Sequence, residues 1–70
     1  MSQAKRALMA NQIATFFASQ PGDRAAAVAA HINDFWGPDM RAGLLSDAHA
    51  PDNGLDALVV EALEHIRPPS

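Results

Sequence analysis

The sequence predicts an all-α fold, a small bundle of three to four short helices forming a single domain over residues 1–70. Three observations predict it. Apolar residues recur at helical spacing in each long segment. Strand signals are missing: there is no period-two alternation, no tyrosine, and only three valines. Proline and glycine divide the chain into pieces of helical length.

The first helix is expected from about Ala4 to Ser19, with Ser2 placed to cap it. Met9, Ile13, Phe16 and Phe17 fall on one apolar stripe with Leu8 on its flank, the pattern of a core-facing helix. Gln20-Pro21-Gly22-Asp23 then breaks the run, because proline pushes the residue before it out of the helical region. The second helix is expected from about Pro21 to Phe35, with Asp23 favouring its dipole. Ala25, Val28, Ala29, Ile32, Phe35 and Trp36 make its apolar face. Phe35 is expected in the core, while Trp36 suits core and interface equally.

Gly37-Pro38 ends that helix, and Pro38 is suited to open a short third one through Met40, Leu44 and Leu45. Ser46 to Gly54 holds turn-forming residues and reads as a flexible loop. The last helix is expected from about Gly54 to Ile66, with Leu55, Leu58, Val59, Ala62, Leu63 and Ile66 on one face. Asn53 followed by Asp56 resembles a capping box at its start. Arg67-Pro68-Pro69 stops it and leaves a short tail.

Composition narrows the function. Without cysteine, disulfides, thiolate metal sites and cysteine nucleophiles are excluded. Fifteen alanines bury little area each, and chains this small commonly gain stability from a partner. Five basic residues against eight acidic ones, with only Lys5 and Arg6 adjacent, argue against a nucleic-acid role. No stretch reaches the roughly 18 apolar residues that cross a bilayer. Lys5-Arg6 before a largely apolar run mimics a secretion signal, but Asn11 and Gln12 interrupt it. The expectation is a retained helix in a cytoplasmic protein without membrane contact.

Catalytic chemistry finds no foothold. His31, His49 and His65 lack a second histidine at i+3 or i+4, so metal ligation is not indicated. The carboxylates fall mostly at expected helix ends or on polar faces, where their pKa is not driven toward catalysis. Phosphate-binding glycine loops and a nucleophile elbow are absent. The chain is not expected to be an enzyme by itself.

The strings Met9-Ala10-Asn11-Gln12-Ile13-Ala14-Thr15-Phe16-Phe17, Gln20-Pro21-Gly22-Asp23, and His31-Ile32-Asn33-Asp34-Phe35-Trp36-Gly37-Pro38-Asp39-Met40-Arg41 carry a family likeness. Over about Lys5 to Arg41, and weakly from Leu58 to Pro68, the chain resembles the delta subunit of cytoplasmic NAD-dependent formate dehydrogenase. The resemblance implies an accessory subunit of a molybdenum- or tungsten-containing complex. In such a complex the alpha subunit oxidises formate to CO2 on a molybdopterin guanine dinucleotide. Iron–sulfur clusters and FMN carry the electrons to NAD, and beta and gamma subunits complete the assembly.

The resemblance further implies a role in assembly, cofactor insertion or stability, with no cofactor on this chain. A chain without cysteine cannot ligate a cluster through thiolates, in keeping with that role. Asn11, Gln12, His31, Asn33, Trp36, Pro38, Met40 and Arg41 match the family strings and are carried over as candidate partner contacts on the alpha subunit. The docking energy is expected at the stiff Gly37-Pro38 corner, through Trp36, Met40 and Arg41. A transient assembly chaperone and a free-standing helical interaction module are the competing readings.

Overall fold

Four α-helices follow one another without a strand in the computed structural model, which describes residues 2–68. The expected tail at residues 69–70 lies outside the described residues. Helix α1 spans Gln3–Ala18, α2 Arg24–Phe35, α3 Pro38–Asp47 and α4 Ala57–Ala62, the last running into a 3₁₀ turn at Leu63–His65. The bundle measures 30 × 26 × 17 Å. Helix α1 touches the other three helices, and α2 packs on α4 and its 3₁₀ extension.

The helix starts follow local chemistry. The Ser2 hydroxyl accepts from the Lys5 amide at 3.1 Å, closing the first turn of α1. Helix α2 begins later than proline alone implies, at Arg24, because the Asp23 carboxylate accepts from the Ala26 amide and serves as its N-cap. The connecting turn needs Gly22, whose φ of +90° disfavours any residue with a Cβ. Pro38 opens α3, as its fixed φ and missing N–H favour.

The core differs from the expected one on α1. Its buried residues are Ala7, Ala10 and Ala14, not the bulky stripe. Met9, Ile13 and Phe17 are only partly buried, while Leu8 and Phe16 are exposed. The reason is crowding. A helix that contacts three others must let their backbones close in, and a line of alanines permits this. Val28, Ala29, Ile32 and Trp36 meet that line from α2 and its C-cap, with Leu44 from α3. Val59, Ala62 and Ile66 complete the core from the C-terminal segment.

Phe35 is a second correction: it is 75% exposed rather than buried. It follows His31 by one helical turn and so continues the outer edge of α2. Trp36, as C-cap with an extended ψ of 134°, turns its ring inward to 6% exposure.

The C-terminal helix is shorter than expected. Asp56 is its N-cap without a side-chain bond, and no Asn53–Asp56 capping box forms. Instead the Asn53 carboxamide accepts from the Leu55 amide at 2.9 Å and donates to the carbonyls of Ala50 and Ala48. That side chain folds the Ser46–Gly54 segment around itself, and the Gln3 amide reaches the Asn53 carbonyl at 2.8 Å. The segment also loses its start to α3, which runs on to Asp47. There Arg6 grips the Asp47 carboxylate with two bonds, Nε to Oδ2 at 2.6 Å and Nη2 to Oδ1 at 2.9 Å. The bonds to Asp47 raise the Arg6 pKa above its ordinary value.

A candidate docking groove between α1 and α2

With alanines turned inward, the large side chains of α1 are left along an open groove. Met9, Gln12, Ile13, Phe16 and Phe17 line it from α1, and His31 and Trp36 close it from the α2 side. Its volume is about 390 Å³, and its walls are mainly apolar. A row of rings crosses from one helix to the other. Phe16 meets Phe17 edge-on at 5.0 Å, Phe17 meets His31 at 6.1 Å, and His31 lies tilted against Phe35 at 4.6 Å. Both ends of this row face solvent, with Phe16 64% and Phe35 75% exposed. Large apolar side chains gathered at one exposed place make the groove a candidate interaction surface.

The structure divides the eight candidate contact residues into two groups. Gln12 and His31 stand in the groove, and Trp36 lends one wall from its buried position. Pro38 is exposed at the start of α3, and Met40 is half-buried against the core. The other three hold the chain together. Asn11 donates to the Gly54 carbonyl and accepts from the Asp56 amide, both at 2.9 Å. Asn33 donates to the His65 carbonyl at 3.1 Å and accepts from the Arg67 amide at 2.9 Å. Arg41 donates from Nε to the Arg67 carbonyl and from Nη1 to the Trp36 carbonyl, at 3.0 and 2.8 Å.

These asparagines act as splints for backbone that no helix satisfies. Each offers one donor and one acceptor to a segment more than thirty residues away. Asn11 pins the entry of α4, and Asn33 with Arg41 pins its exit. The turn tightens to 3₁₀ and Ile66 swings into the core at that exit.

The apolar pattern assigns Phe16 and Phe35 to core-facing stripes and gives no sign of the groove as a place. The available signal was the competing line Ala7, Ala10, Ala14, which also keeps helical spacing. Two apolar faces on one short helix cannot both be buried in a domain this small.

The donor set fits neither a metal nor a cluster. No thiolate exists, and among the described residues no three His, Asp or Glu side chains gather where an ion could sit. No helix among them is long and apolar enough to cross a membrane.

Family comparison matches residues 7–63 to the NADH-dependent formate dehydrogenase delta subunit, FdsD. The chain belongs to this delta-subunit family. The match covers all four helices apart from the first turn of α1, and both helices that wall the groove. Comparison with curated proteins gives no match. As a delta-subunit family member, the chain is tied to a multi-subunit formate dehydrogenase.

Proposed function

We propose that this chain is a non-catalytic accessory subunit that docks through the α1–α2 groove on the molybdopterin-containing alpha subunit of a formate dehydrogenase. The exposed ring row carries the reading: a delta-subunit family member that keeps two of its three phenylalanines, Phe16 and Phe35, outside its own core has a surface suited to another protein. Gln12 and His31 supply the polar groups that fix orientation there. Docking supports the complex by mass action, because a chain that binds the assembled form stabilises that form over its separated or unloaded precursors. Formate oxidation and electron transfer then belong to the cofactors of the other subunits, in the cytoplasm.

Affinity purification of this chain, followed by quantitation of what it retains, tests the proposal. The expected result is one copy per alpha subunit in the active complex. Release of the chain once the alpha subunit is loaded with cofactor would overturn the accessory-subunit reading in favour of a chaperone.

A further inference from the structure

The segment leading into α4 carries a chemistry that docking does not use. Asn53 is followed by Gly54, and a glycine, having no Cβ, leaves its own backbone nitrogen unshielded for attack on the asparagine side chain before it. We infer that Asn53–Gly54 is a self-modifying site, converted to aspartyl and isoaspartyl products in the unfolded chain and held unreactive by the fold. The inference is independent of how the groove is used.

The reaction consumes water and releases ammonia. The Gly54 nitrogen gives its proton to solvent base and attacks Asn53 Cγ. The Cγ–Nδ2 bond then breaks, Nδ2 takes up a proton and leaves as ammonia, and a five-membered succinimide remains. Water opens that ring at either carbonyl. One opening gives an aspartyl residue, and the other routes the main chain through the β-carbon as isoaspartyl.

The fold grips the groups that have to move. The Asn53 Oδ1 accepts from the Leu55 amide at 2.9 Å, while Nδ2 donates to the Ala50 carbonyl at 3.0 Å and the Ala48 carbonyl at 3.4 Å. The Asn53 carbonyl accepts from the Gln3 carboxamide at 2.8 Å, and the Gly54 carbonyl from the Asn11 carboxamide at 2.9 Å. Closing the ring draws Cγ onto the Gly54 nitrogen and expels Nδ2, so the bonds on the carboxamide must break first. Reaction therefore waits for local opening of the segment.

The products cannot rebuild the turn. A carboxylate only accepts, so the aspartyl form sets negative charge against the carbonyls of Ala48 and Ala50, where the carboxamide donated. The isoaspartyl form lengthens the main chain by one atom between the points that Gln3 and Asn11 hold. A chain that stays unfolded is thus marked in a way that refolding does not reverse.

The test incubates the full chain in warm, mildly alkaline buffer with and without guanidinium chloride. Peptide mass spectrometry reads conversion at each asparagine, with the isoaspartyl form separated by chromatography. Asn53 should convert roughly tenfold or more faster in denaturant than in native buffer. Asn11 and Asn33, followed by Gln12 and Asp34, should stay intact in the same denatured sample. Gly54→Ala, compared in denaturant where folding plays no part, should slow conversion several-fold. Returned to native buffer, the converted chain should melt several degrees below the unconverted one, and Asn53→Asp should do the same. Equal rates at Asn53 in the two buffers overturn protection by the fold. Conversion in denaturant no faster at Asn53 than at Asn11 and Asn33, or undiminished in Gly54→Ala, overturns the site. An unchanged melt in both the converted chain and Asn53→Asp overturns the claim that the products cannot rebuild the turn.

Discussion

Replacing Gly43 by alanine separates two opposing effects that sequence and structure assign to the same atom. Gly43 lies inside α3, where alanine is favoured over glycine by about 1 kcal/mol. In a domain of this size that gain raises the melting temperature by about 4–8 °C. The structure denies it. A Cβ on Gly43 would stand 2.9 Å from Arg6 Nε, 3.0 Å from Cζ and 3.1 Å from Cδ. Arg6 cannot yield freely, because the same planar guanidinium holds both oxygens of Asp47 in a largely covered site, its side chain 17% exposed. Moving it loosens both bonds at once. The expected outcome is that Gly43→Ala leaves the melting temperature of the wild-type chain unchanged or lowers it. In an Arg6→Ala background the same substitution should raise it by about 4–8 °C. Thermal melts of the four variants by circular dichroism form the complete cycle. Equal rises in both backgrounds would refute the close approach on which the argument depends.

Three further outcomes follow from the placement of individual side chains. Trp36→Ala removes a ring that is 6% exposed and should cost about 3–5 kcal/mol, enough to abolish the cooperative melt of a small domain; Phe35→Ala should leave that melt intact. Asn33→Ala deletes two backbone-directed bonds in an exposed setting and should cost about 1–2 kcal/mol, with selective loss of hydrogen-exchange protection at the Arg67 amide. The raised pKa of Arg6 fixes a pH sign: its contribution is fully present below the ordinary arginine value and is lost only as pH rises through the raised one. The difference in melting temperature between wild type and Arg6→Gln should therefore stay constant from about pH 7 to 10, and a steady decline would contradict it.

Local chemistry was legible in the sequence wherever one residue decides one backbone event. Ser2 before α1, the Gln20–Asp23 break and Pro38 opening α3 all act within a turn of their own position. Helix number and order follow from those marks. The inward face of α1 was not legible, because hydropathy weights Phe16 and Met9 above alanine. Only the three-way packing around α1 shows that small residues are needed inside. Nor were the splints legible. Asn11 and Asn33 sit in motif strings that suggest contact with another protein, but their partners lie 45 and 34 residues along the same chain. A side chain that serves distant backbone leaves no periodic trace. The resemblance strings thus blend residues that shape the fold with residues that shape the surface, and the structure separates the two.

The alanine line on α1 inverts the usual map of mutational tolerance. In most small domains the aromatic positions are the intolerant ones and the alanines forgive replacement. Here Ala10 and Ala14 stand at 0% and 2% exposure on the helix that packs against the other three, so added bulk there must displace packed neighbours. Phe16 and Phe35 can be trimmed with little effect on folding, since solvent already surrounds them. Selection for folding alone would therefore preserve the buried alanines, along with Trp36, and let Phe16 and Phe35 drift. The exposed phenylalanines thus answer to something other than the chain's own folding.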